Sequence, residues 1–287
     1  MQDYIIFTDS AAGIPEHIVK DFSIKVIPIE LTLDGEHYVK DTEISPKEFY
    51  SQIRKGKLPK TTCINQTTYV EYFEPFLKAG KDILYISFSS GLSSLYNVAL
   101  NTSKILEQKY PDNKLVVVDS RAASMGQGLL VYYAAKEKES GKSLVEVAAW
   151  LEGNKNKMNH WFTVDDLFHL KRGGRVSSAA AIVGGMLNIK PVLDINLEGK
   201  LVPISKIRGR KAALLELFNK MEELFELDKN EVVYISHTDA PDDAQWLAKK
   251  INEKFNIKVE LSYITPVIGS HVGNGTVALF FFGKNKY

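Results

Sequence analysis

The stretch Ile86 to Asn97, ISFSSGLSSLYN, sets Ser89, Ser90, Ser93 and Ser94 around Gly91, where an apolar run gives way to a helical pattern. Glycine and serine at the start of a helix leave backbone N–H groups without intrahelical partners, and the hydroxyls add further donors. An anionic group is the natural occupant. The plainer alternative is that Ser90, Ser93 or Ser94 caps the helix. A nucleophilic serine fits poorly, because GLSSL lacks the G-x-S-x-G elbow, which has glycine two residues after the nucleophile.

Other polar groups stand at comparable places. His271 lies in TPVIGSHVGNG, where glycines let the backbone approach a ligand and an imidazole can donate to its charged end; otherwise it is a histidine in a strand-end turn. LKRGGRVS puts Lys171, Arg172 and Arg175 beside a glycine pair, as an anion site, a docking patch, or a solvated helix end facing its own dipole. Asp9 in FTDS and Asp119 in VVVDS close apolar runs, at the sheet rim where α/β folds bind ligands, although each can simply cap the next helix. Thr61 and Thr62 in PKTTCIN read as loop hydroxyls that bond their own backbone. Arg208, Arg210 and Lys211 open the amphipathic stretch KIRGRKAALLELF, where cations oppose the helix dipole, so docking to an acidic surface is a candidate use. There is no P-loop, and MGQGLL at 125–130 is only a fragment of a dinucleotide fingerprint, which leaves ATP and NAD sites unsupported.

The elements needed to position these groups are legible as an alternation. YIIFTDS, IKVIPIELTL, DILYISFS and KLVVVDS are β-branched runs, and each but the second is followed by helix-like sequence, which predicts an α/β layer. From about residue 159 a second α/β pattern follows. NHWFTVDD reads as a strand, LFHLKRGG as a short helix ended by glycine and SSAAAIVGGMLN as a small-residue helix. Beyond them come helices over about 211–227 and 242–255, the strand EVVYISHTD and two late strands. The expected organisation is therefore an N-terminal α/β domain over 1–158, carrying the serine turn, and a C-terminal α/β domain over 159–287.

Composition sets the outer limits. A chain of 287 residues is long for one domain at roughly 100 to 200 residues each. Hydrophobic residues at 45% and charged residues at 25% are the balance of an ordinary globular protein. With 36 Lys plus Arg against 35 Asp plus Glu, no excess positive charge drives binding along a phosphate backbone, so nucleic acid is not expected as a partner. Cys63 is the single cysteine, which excludes an internal disulfide and a cysteine-based metal cluster and fits a reducing compartment. MQDYIIFTDS has no basic region leading into a long apolar stretch, and the apolar run over 277–282 is too short to span a bilayer; the expectation is a cytoplasmic protein without an integral membrane segment.

Taken together, FTDSAAGIP, SSGLSSLYNVA, LKRGGRVS, LNIKPVL and PVIGSHVG, in this order over nearly the whole chain, resemble the DegV family of bacterial fatty-acid-binding proteins. The resemblance implies a two-domain fold that buries one long-chain fatty acid between its domains and presents the carboxyl to a separate fatty acid kinase, which makes an acyl phosphate from ATP. No chemistry by this chain, no cofactor and no metal are implied. The family positions that hold the carboxyl fall on Thr61, Thr62, Ser93 and His271, and Arg172 and Arg175 belong to its basic loop. The chain departs from the family where a T-S-Q-P-S string reads TTCIN, S-G-T reads SSL and glycine-proline-glycine reads GNG; Cys63 and Ile64 replace glutamine and proline, which bears on loop shape and acyl preference. A tail of ~15 methylenes at roughly 0.8 kcal/mol each would dominate affinity, leaving the polar groups to orient the head. The competing function is a small-molecule enzyme that uses the same hydroxyl and histidine rim for acyl or phosphoryl transfer.

Overall fold

The computed structural model describes residues 3–165, 167–176 and 188–285; the small-residue helix expected over 177–188 lies, except for Asn188, outside them. Strands β1 (Tyr4–Asp9), β2 (Lys25–Ile27), β3 (Leu31–Leu33), β4 (Glu36–Tyr38), β5 (Lys60–Thr61), β6 (Asp82–Ser87) and β7 (Leu115–Asp119) come from the first half. β2-β1-β6-β7 form a parallel sheet. Every residue of β6 is buried, which is why DILYIS reads as a run without alternation: helices cover both faces of such a sheet. β4-β3-β5 form a small antiparallel sheet beside it, so the run IKVIPIELTL is two strands in two sheets and not one.

The second half folds as a six-stranded sheet in the order β10-β9-β8-β13-β11-β12. Its members are β8 (Met158–Thr163), β9 (Ile189–Ile195), β10 (Leu201–Arg208), β11 (Val233–His237), β12 (Val259–Tyr263) and β13 (Val277–Phe282). The helices are α1 (Glu16–Asp21), α2 (Pro46–Arg54), α3 (Gln66–Lys78), α4 (Leu95–Lys109), α5 (Met125–Glu139), α6 (Leu144–Asn154), α7 (Phe168–Arg172), α8 (Arg210–Leu224), α9 (Pro241–Phe255) and α10 (Pro266–Val272). Several start where their sequence provides a cap. Ser45 and Asn65 accept from the backbone N–H of Glu48 and Thr68, and Ser143 with Glu146 forms a reciprocal capping box.

Side chains of β8 and β13 alternate between two cores, as the two-residue period of a strand requires. Trp161, Leu279 and Phe281 face α8 and α9 and pack with Leu217 and Leu247. Phe162, Ala278 and Phe280 face the other way and join the core that runs into the first half with Ile86, Leu95 and Met125. Helix α5 packs on both sheets. Among the described residues no helix is long and apolar enough to cross a membrane.

Candidate functional site

Thr61 ends the short strand β5, paired with Leu31, and the loop after it is fixed at both ends: the Thr62 N–H donates to Glu30 O (2.9 Å), and Asn65 caps α3. Between them Ile64 is buried and Cys63 is exposed, so TTCIN is an anchored loop despite lacking a proline. His271 comes from far along the chain. It occupies the last turn of α10, not a strand-end turn, because the proline-initiated segment after Thr265 continues as a helix until Gly273. Its Nε2 lies 2.9 Å from the Thr61 hydroxyl. Burial, together with nearby Arg175 and Arg172, pulls the imidazole down to about 4, so at neutral pH it is uncharged and offers one donor and one acceptor. Among the described residues its buried Nδ1 has no hydrogen-bond partner, and it faces Gly173, where a β-carbon would come within 2.6 Å.

The serine turn divides into scaffold and site. Ser90 donates its hydroxyl (2.6 Å) and backbone N–H (3.1 Å) to Asp119, while Ser89 is buried and donates to Gly199 O (2.7 Å). Gly91 lies against the same 198–199 turn, where a β-carbon would meet Glu198 O at 2.5 Å. The expectation that this turn keeps its N–H groups for an anion fails at Ser90, Gly91, Leu92 and Ser93, which donate within the turn or to Asp119. Capping fails as well for Ser94, the residue before α4, whose hydroxyl makes no cap bond and instead lies 3.2 Å from the Cys63 thiol. Ser93 and Ser94 line a cavity; Ser89 and Ser90 do not.

Asp9 both caps the following turn and meets a second loop: its carboxylate accepts from Ala11 N–H (3.1 Å), the Tyr85 hydroxyl (2.8 Å) and Phe88 N–H (3.0 Å). Complete burial nevertheless raises its pKa. The two family arginines separate. Arg175 lines the cavity and donates to Leu92 O (3.2 Å) and to Gly173 O, whereas the exposed Arg172 donates to Pro59 O (3.4 Å) and Ser270 O (3.3 Å). Among the described residues neither has a carboxylate within ion-pair distance, and burial lowers the pKa of Arg175. Arg208 is exposed at the end of β10. Arg210 is held by Asp243 (2.7 Å), with Asp165 at 3.8 Å, so acidic neighbours offset the helix-start cation and it is not free for docking. Neither residue lines the cavity.

That cavity, of about 220 Å³, has a polar end made of Thr61, Thr62, Ser93, Ser94, Arg175 and His271. Its remaining wall is mostly apolar, including Phe88, Phe162, Ile268, Ala278 and Phe280. Sequence reasoning missed this wall. The alternation in β8 could have shown that Phe162 and Trp161 face opposite ways, but not which of them meets the other sheet. Ser124 was also missed; it lines the cavity at φ 52°, ψ −147°, a backbone region that non-glycine residues occupy only under constraint. No cluster of metal-ligating side chains occurs among the described residues.

Fold and site together define an α/β protein with a mostly apolar cavity whose polar lining holds hydroxyls, a neutral imidazole and a guanidinium that has no carboxylate partner among the described residues. The DegV family model, described as an uncharacterised protein family, matches residues 4–284, and the chain belongs to that family. A DegV domain-containing protein of Clostridium perfringens is 46% identical over 100% of this chain and 99% of its own length. Among solved structures, DegV of Bacillus subtilis, described as a fatty acid binding protein, is 28% identical with a TM-score of 0.86, covering 99% of this chain and 100% of that one. A fatty acid binding DegV family protein of Streptococcus agalactiae is 27% identical with a TM-score of 0.88 at the same coverage.

Proposed function

We propose that the protein is a carrier for one long-chain fatty acid, held between an N-terminal domain (1–158) and a C-terminal domain (159–287), and that it offers the carboxyl group to a separate fatty acid kinase. The observation that carries this is the juxtaposition of Thr61 and His271, at 2.9 Å, with Arg175 at one end of an otherwise apolar cavity. A half-buried guanidinium with no carboxylate partner is a standing demand for an anion, and hydroxyls with an imidazole donor orient a carboxylate without a metal. The apolar wall suits an acyl chain, as does the fatty acid binding of the Bacillus and Streptococcus relatives.

The enzyme alternative is less well supported. A histidine acting as general base works best with a pKa near neutrality and a third group orienting its other nitrogen. His271 is pulled down to about 4, and among the described residues no group orients its Nδ1. In the carrier, Arg208 and Arg172 are the exposed cations available to a kinase surface, working in the cytoplasm. Mass spectrometry of the denatured, purified protein should find one fatty acid per chain, and a separate fatty acid kinase with ATP should convert it to the acyl phosphate. Lipid-free protein that turned over acyl or phosphoryl substrates unaided would overturn the reading. Reversing the charge of Arg208 should slow the kinase reaction most at low salt, where electrostatic steering is strongest.

A further inference from the structure

The floor of the cavity is laid in cross-strand rows. β8 and β13 pair Phe162 with Ala278, His160 with Phe280 and Met158 with Phe282, and successive rows lie ~7 Å apart. β9 pairs Leu193 with Phe162, and Ile195, two residues further along β9, lines the cavity together with His160. Ile195, His160 and Phe280 come from the neighbouring strands β9, β8 and β13, and this row of three lines the main cavity. A second hollow, of about 10 Å³, has His160 and Ile195 as wall residues in common with the cavity and is otherwise walled by Arg121, Lys155, Asn156, Met158, Asn196 and Leu197.

His160 has little room to give way. A β-carbon on Gly126 of α5 would lie 2.1 Å from its Cδ2 and Nε2, and its ring meets Phe280 edge-on at 6.0 Å. The second hollow is also chemically different from the cavity. Arg121 donates to Leu197 O (2.8 Å), and the buried Lys155 ammonium donates to Asp119 O (3.1 Å). An apolar chain end pushed there would lose the contacts of the cavity and crowd polar groups that need partners.

Resting on the carrier reading, we propose that the row Ile195–His160–Phe280 is the length stop of the acyl chain, that the polar hollow beyond it reinforces the stop, and that trimming a side chain of the row makes room for a longer tail within the row itself. Lipid-stripped full-length protein would be titrated with saturated fatty acids from dodecanoic to docosanoic acid. Wild type should show affinity rising to a ceiling length and then falling. In His160→Ala the ceiling should move out by about two methylenes, with the first acid above the old ceiling bound about tenfold more tightly than by wild type. Ile195→Ala opens the same row from the neighbouring strand and should move the ceiling in the same direction, which keeps the test decisive if His160→Ala does not fold. His160→Phe, which keeps the bulk, should leave the ceiling in place. An unchanged ceiling in folded His160→Ala or Ile195→Ala overturns the stop, and so does a lengthened ceiling in His160→Phe. Failure of wild type to bind any of the acids would instead sink the carrier reading beneath it.

Discussion

Two polar clusters stand at the ends of strands in this protein, and they use their hydrogen-bonding capacity differently. Around Asp9 and Asp119, donors and acceptors are matched: three donors converge on Asp9, and Ser90 and Arg121 N–H converge on Asp119. Around Thr61, His271 and Arg175 they are not: among the described residues the imidazole Nδ1 has no hydrogen-bond partner and the guanidinium no carboxylate within ion-pair distance. Both clusters are built from residue types that suggest chemistry. Among the described residues the second carries the charge-bearing surplus that a ligand would use, and we take that surplus to separate a candidate site from scaffolding.

If the first cluster is scaffold, its loss should appear in stability before anything else. Asp9→Ala leaves the Tyr85 hydroxyl and two backbone N–H groups without their acceptor inside the protein. It should lower the unfolding free energy by roughly 3 to 4 kcal/mol in a urea titration. A fully stable Asp9→Ala protein that had lost fatty-acid binding would reverse the assignment of the two clusters.

The site cluster has its own stability signature, in pH. His271 has an ordinary value of 6.5 and is held down to about 4 in the fold, so between these values the unfolded chain binds more protons than the native one. Its contribution is therefore complete above pH 6.5 and is lost as pH falls toward 4, to a limit of about 3 kcal/mol. His271→Gln should flatten that part of the profile. Because the imidazole is neutral, the same substitution should retain more fatty-acid affinity than His271→Ala; equal losses would mean that a charged imidazolium is needed after all.

Arg175→Met tests the unpaired cation. Binding of a long-chain fatty acid should weaken by about 2 kcal/mol, the scale of a charge-assisted hydrogen bond, while stability holds or rises as a buried charge is removed. A large drop in stability without a change in affinity would make Arg175 scaffold, serving Leu92 O and Gly173 O alone. The smallest effect is expected at Ser93→Ala, about 1 kcal/mol in affinity, because the tail supplies most of the binding. Complete loss of binding in the folded variant would show that the head, and not the tail, carries the affinity.

Much of the scaffold was legible before any contact was known. The apolar runs YIIF and DILYIS and the periodicity of α8 and α9 are local signals, readable because a strand or helix imposes its own spacing on the residues that form it. Thr61 and Thr62 could be singled out as candidates only through motif resemblance, since nothing in PKTTCIN alone distinguishes a site threonine from a loop threonine, whereas Ser93 in its serine turn and His271 among its glycines already stood out by residue type and place.

What the residues became to one another depended on folding. Thr61 and His271 are 210 positions apart, and their pairing exists because β5 and α10 are packed together by the tertiary fold. The split of the serine turn, with Ser89 and Ser90 bound to Gly199 and Asp119 and Ser93 facing the cavity, has no counterpart in a string of identical residues, because it depends on which partner each hydroxyl meets across the chain. The row that closes the cavity has the same origin. Alternation along β8 predicts that His160 and Phe162 share a face, but the register of three strands and the approach of Gly126 are needed to make that face the end of a cavity.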